Sequence, residues 1–263
     1  MVRSLYVRLL TILAVVALGW SATVFANHSW GGYHWARTAN PFTLKTGDNV
    51  SSIWDGHLDL AISDWSQSSV LDLAKVTGRA RPRNCRPTAG RVEVCSERYG
   101  KTGWLGIAQI WVSGSHITQG VVKVNDTYHN SPPYNTPAWR QFVMCQEIGH
   151  TLGLTHQDED FGNANLGTCM DYGDPTNDSA QEHPNAHDFE QLEAIYAHLD
   201  NSTTVGAQLP SSTPPAMGQI DFDAPGQWGR LVRSNRDGRV QEYELDFGRG
   251  HKVLTHVFWA DAR

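Results

Sequence analysis

Gln146-Glu147-Ile148-Gly149-His150-Thr151-Leu152-Gly153-Leu154-Thr155-His156 sets two potential ligand side chains, Gln146 and His150, four residues apart with a glutamate between them. On a helix such residues lie about 40° apart around the axis and one turn along it, so both can converge on one ion with Glu147 beside them. Gly153 suits the positive φ that ends a helix and turns the chain, after which His156 can swing back as a third ligand.

The surrounding residues predict the helix itself. Thr136 is a plausible N-cap, and Pro137 fits the first helical position, where a missing N–H costs nothing. Ala138, Phe142, Cys145, Gly149 and Leu152 recur at spacings of three and four and form one apolar face, from which Gln146 and His150 are displaced. Downstream comes Gly167-Thr168-Cys169-Met170-Asp171-Tyr172, with Met170 fourteen residues after His156.

With both stretches in view, residues 27–200 resemble the metzincin zinc peptidases, and in particular secreted metzincin-like proteins that carry Gln-Glu-Ile-Gly-His. The resemblance implies an α+β fold, a twisted mixed sheet with an active-site helix and a methionine turn at Met170. It implies Zn2+ as cofactor, held by Gln146, His150 and His156. Glu147 is then the general base, and Tyr172 reaches the metal or donates a hydrogen bond to the oxyanion. The implied reaction is endopeptidase cleavage of a protein or peptide, in which zinc would lower the pKa of a bound water and polarise the scissile carbonyl.

Gln146 departs from the histidine of active relatives, and an amide oxygen is a weaker donor than an imidazole nitrogen. Three readings stay open. Gln146 binds weakly, helped by Tyr172 or a nearby histidine; or it lies outside the shell, with His129, His183 or His187 in its place; or the site holds no metal and the domain is a secreted binding protein.

The chain has 263 residues, 40% of them hydrophobic, enough for a sizeable core. Its net charge of -6, with no basic stripe, argues against nucleic acid as a partner. Arg3, Arg8, the apolar run Leu9 to Leu18 and Val24-Phe25-Ala26 read as a signal peptide over 1–26, which predicts secretion and no stable membrane anchor after cleavage. A monomer is expected, with no large pro-segment.

Four cysteines in an exported chain read as two disulfides. Cys85–Cys95 closes a short loop, worth roughly 3 kcal/mol in the chain-entropy model, and Cys145–Cys169 would clamp the helix to the methionine turn.

Around these, Trp30 to Arg37 reads as a strand and Ser52 to Trp65 as an amphipathic helix capped by Asp48 or Ser51. Trp104–Val112 and Ile117–Asn125 read as strands, the second an edge strand beside the cleft, where the resemblance lets an extended peptide add on. His187 to Leu199 reads as a last helix, and residues 201–218, rich in Ser, Thr and Pro, as a linker. Residues 219–263 read as a small three-stranded β meander, too small to be very stable alone.

Overall fold

The computed structural model describes residues 28–220 and 223–260; the predicted signal peptide lies outside them. Nine strands form one mixed sheet: β1 (His34–Trp35), β2 (Phe42–Asn49), β3 (Leu71–Thr77), β4 (Val92–Glu97), β5 (Trp104–Ser113), β6 (His116–Asn125), β7 (Arg230–Ser234), β8 (Val240–Asp246) and β9 (His251–Trp259). Their order is β3-β2-β4-β6-β5-β9-β8-β7, with β1 paired to the start of β6. The β3-β2-β4-β6 side is parallel, and from β6 to β7 every pairing is antiparallel. Among the described residues four α-helices accompany it: α1 (Asp55–Trp65), the single turn α2 (Asp126–His129), α3 (Pro137–Thr151) and α4 (Ala186–Ile195).

The helix α3 starts where its residues dictate. Thr136 accepts a hydrogen bond from the Trp139 backbone N–H and Pro137 occupies the first turn. Its apolar face carries Phe142, Cys145, Gly149 and Leu152 into the core, where Trp65 and Met170 meet Gly149. A Cβ on Gly149 would lie 2.6 Å from both Met170 Sδ and Trp65 Cζ2, so only glycine lets the helix sit this close to Met170. Both disulfides are formed, and Cys145–Cys169 ties α3 to the segment that carries Met170.

Several expectations need correcting. Ile117–Asn125 is not an edge: β6 lies between β4 and β5. The border that β5 would present is covered by β9, which pairs with it from Trp104↔Trp259 to Ser113↔His251. The meander is therefore a continuation of the main sheet, because a three-stranded unit gains backbone partners and apolar cover only by joining it.

Residues 201–218 are not a free linker either. Thr204 N donates to Ala36 O, Gly206 N donates to Gly90 O, and buried Met217 accepts from Trp111 Nε1. At α1, Trp54 occupies the N-cap position without a side-chain cap; Asp48 belongs to β2, and the Ser51 hydroxyl accepts from Ser96 Oγ. The last helix stops at Ile195 rather than Leu199, since the Arg37 guanidinium takes the carbonyls of Tyr196 and His198. Asn49 and Asn125, each of which begins an Asn-x-Ser/Thr triplet, are buried and hydrogen-bonded within the fold.

One buried group makes stability sensitive to acid. His129, at the end of α2, is fully buried edge-on to Trp54, and its Nε2 has no hydrogen-bond partner among the described residues. Burial lowers its pKa to about 3, whereas an unfolded histidine titrates near 6.5. Between those values the unfolded chain binds more protons, so stability is full above about pH 6.5 and is lost as the pH falls towards 3. Thermal melts at stepped pH should show Tm declining through that window and a shallower decline in His129→Phe; equal slopes would remove His129 from the account.

Candidate metal centre

Three histidines from two distant parts of the chain come together beneath α3. His150 belongs to the last turn of α3, His156 to the segment after Gly153, and His256 to β9; their ligand nitrogens all lie within 4.8 Å of one another, and all three are buried. The His150 and His256 ring centroids are 3.8 Å apart, and His150 Nε2 is 3.1 Å from His156 Nε2.

The turn that returns His156 is built by Gly153, at φ +99°, whose Cα approaches the backbone of Tyr33; a Cβ there would lie 2.3 Å from the Tyr33 carbonyl oxygen. Leu154 then bridges to Ser29, and Thr155 N donates to His28 O. The N-terminal segment thus fixes the loop that carries His156.

Outer contacts decide which nitrogen of each ring faces inward. His150 Nδ1 lies 2.9 Å from Leu154 O, a carbonyl that only accepts, so Nδ1 carries the proton and Nε2 the lone pair. His256 Nδ1 lies 2.9 Å from Glu147 Oε2, and its Nε2 has no hydrogen-bond partner among the described residues. His156 Nδ1 lies 2.6 Å from the Tyr172 hydroxyl. Each ring is thus held by its Nδ1, which is how histidine ligands are oriented by a second layer of partners.

Burial drives the electrostatics. It lowers the pKa of His150 and His156 well below the usual imidazole value and that of His256 to about 3, and it raises Glu147 and Tyr172 well above theirs. Neutral imidazoles are the form that binds a metal. Three neutral imidazole nitrogens, one of them without a hydrogen-bond partner among the described residues, fit a zinc ion and leave a fourth coordination position open.

Of the residues singled out in the sequence, His150, His156 and Glu147 are brought together and Gln146 lies beside them on the helix. Its amide Nε2 donates to Cys169 O at 2.9 Å, while Oε1 has no hydrogen-bond partner among the described residues. The histidines considered as replacements are elsewhere: His129 packs on Trp54, His183 meets Asp64 at 2.7 Å, and His187 stacks on His28. The side chain that joins instead is His256. No local motif marks it; only the β5–β9 register, which sets His256 opposite Ala108, carries it under α3.

Tyr172 also differs from expectation, since its hydroxyl is engaged by the outer nitrogen of His156. Met170 is buried with its sulfur against Gly149. Glu147 fits only because position 106 is glycine, where a Cβ would lie 2.6 Å from Glu147 Oε1.

The meander also closes the front of the site. Arg233 on β7 pairs with Glu159 at 2.5 Å, and Arg239 lies 4.4 Å over the ring of Phe161, which itself stacks on Tyr172. His150, Glu147 and His256 are fully buried.

No family model matches the chain, and no curated protein matches it. Among solved structures, the chain is similar to High choriolytic enzyme 1, a hatching enzyme zinc-protease from Oryzias latipes (Medaka fish). The TM-score is 0.35 and the identity 12%, over 62% of this chain and 94% of that chain.

Proposed function

We propose that the chain is a secreted zinc-dependent metalloendopeptidase of metzincin-like type, with zinc held by His150, His156 and His256. The observation that carries this reading is the convergence of three buried, neutral imidazoles beside Glu147, which shares a helix with His150. Zinc there would supply Lewis acidity, acidifying a water and polarising a peptide carbonyl.

The chain's own residues supply the rest. Glu147 has two oxygens with different tasks: Oε2 accepts from His256 Nδ1, and Oε1 is free of hydrogen-bond partners among the described residues and can take a proton. Burial raises its pKa, which makes it a better base than an exposed carboxylate. Tyr172 fixes the ring of His156 and so acts on its position.

The burial of these groups, and the pairing of β9 along β5, favour a second reading in which the metal is structural and the domain binds partners without cleaving them.

Purified protein assayed on a generic protein substrate separates the two. Chelator-sensitive cleavage that Glu147→Ala abolishes, with zinc content retained, supports the peptidase. Bound zinc without cleavage supports the structural reading, and absence of zinc from the His150/His156/His256 cluster overturns both.

A further inference from the structure

On a separate set of residues, we propose a second zinc site formed by His34, His116, His198 and Asp200, which staples the N-terminal strand to the sheet and to the segment after α4. It shares no residue with the first cluster and does not rest on the peptidase reading. His34, Asp200 and His116 offer ligand atoms that all lie within 4.8 Å of one another. His34 Nε2 and His116 Nε2 lie 3.4 and 3.1 Å from Asp200 Oδ1. His198 Nε2 lies 3.2 Å from His34 Nε2 and 3.6 Å from the same carboxylate oxygen. Tetrahedral zinc with bonds near 2.0–2.1 Å separates neighbouring ligand atoms by about 3.3–3.4 Å, close to these four separations.

Asp200 is prepared for this role by its other oxygen. Oδ2 accepts from the Arg37 backbone N–H at 3.1 Å and from Arg37 Nη1 at 2.9 Å, leaving Oδ1 turned to the histidines. Arg37 Nη2 also donates to the carbonyls of Tyr196 and His198, which holds the turn carrying His198. On the strands, His34 and His116 are direct partners in the β1–β6 register.

Hydrogen bonding alone serves this cluster poorly. His34 Nδ1 lies 3.0 Å from the Gly32 carbonyl, so it must carry the proton, and the Nε2 of a neutral His34 presents a lone pair. That lone pair faces the carboxylate oxygen Asp200 Oδ1 at 3.4 Å, a second electron-rich atom. A divalent cation between them converts the opposition into coordination.

Three imidazoles and one carboxylate are a borderline donor set that suits zinc. With four protein ligands no position is left for substrate, so the site is structural. Its mechanical effect reaches α3, because β1 carries Trp35, whose Nε1 donates to Thr151 O at 2.9 Å.

The test is zinc counting on the full-length protein. Metal-stripped wild type, His116→Ala and His198→Ala are titrated with zinc against a chromophoric chelator, with Tm read at each point. His116 and His198 are partly exposed, so alanine leaves the core intact.

We expect wild type to bind one more equivalent than His116→Ala, His198→Ala to hold that equivalent at least about tenfold more weakly, and the zinc-dependent rise in Tm to shrink in both. His256→Ala, in contrast, should keep this equivalent. Equal stoichiometry and equal Tm response in wild type and His116→Ala would overturn the proposal, even if the His150/His156/His256 cluster binds zinc as expected. Failure of that cluster alone would leave the one-equivalent difference in place.

Discussion

Replacing His256 with alanine is expected to remove one equivalent of zinc and to abolish chelator-sensitive cleavage, while Gln146→Ala keeps the metal. His256 carries a buried nitrogen with no hydrogen-bond partner among the described residues and a ring already oriented by Glu147, whereas the Gln146 amide is tied to Cys169 O. Loss of a direct ligand should exceed the roughly 10- to 100-fold fall in affinity typical of outer-layer partners. His256→Gln is the control: its amide N–H can still meet Glu147 Oε2, but it is a poorer zinc donor. It should fold better than the alanine variant and still lose the metal. Zinc retained in both His256 variants and lost in Gln146→Ala would reverse the assignment.

The second large effect belongs to Gly153. Gly153→Ala puts a Cβ 2.3 Å from the Tyr33 carbonyl oxygen at a φ of +99°. Neither side can yield cheaply, because the obstructing atom is backbone and Trp30 N already donates to Gly153 O at 2.7 Å. Strain of this kind costs about 3 kcal/mol, which for a chain of this size lowers Tm by roughly 6–12 °C. The same displacement moves His156, so zinc affinity should fall along with stability. Thermal melts and zinc titration of the variant check both, and an unchanged Tm would contradict the reading of this turn.

The helix that carries the site was legible because its signals are local. The Thr136-Pro137 start, the apolar spacing through Leu152 and the glycine at 153 all act within a few residues. The meander strands were equally readable from their turns, and the Cys145–Cys169 pair from its position on the helix.

Three parallel strands, β2, β3 and β4, were not read. They carry residues poorly suited to strands, such as Gly47, Asp48 and Asn49 in β2, and their pairing on the parallel side is decided by distant partners. His256 escaped for the same reason. A single histidine in Leu254-Thr255-His256-Val257 has no helical spacing to other ligands, and its place in the site depends on a strand pairing across more than half of the chain. The incomplete motif at Gln146 is thus completed by tertiary structure, and Glu147 reaches His256 from the residue next to the gap.

The most direct test of that completion is anomalous scattering at the zinc absorption edge from crystals of the full chain grown with zinc. The peak beneath α3 should lie about 2.0–2.1 Å from one nitrogen each of His150, His156 and His256. A peak coordinated by Gln146 Oε1 with His256 outside the shell, or no peak beneath α3 at all, would contradict it.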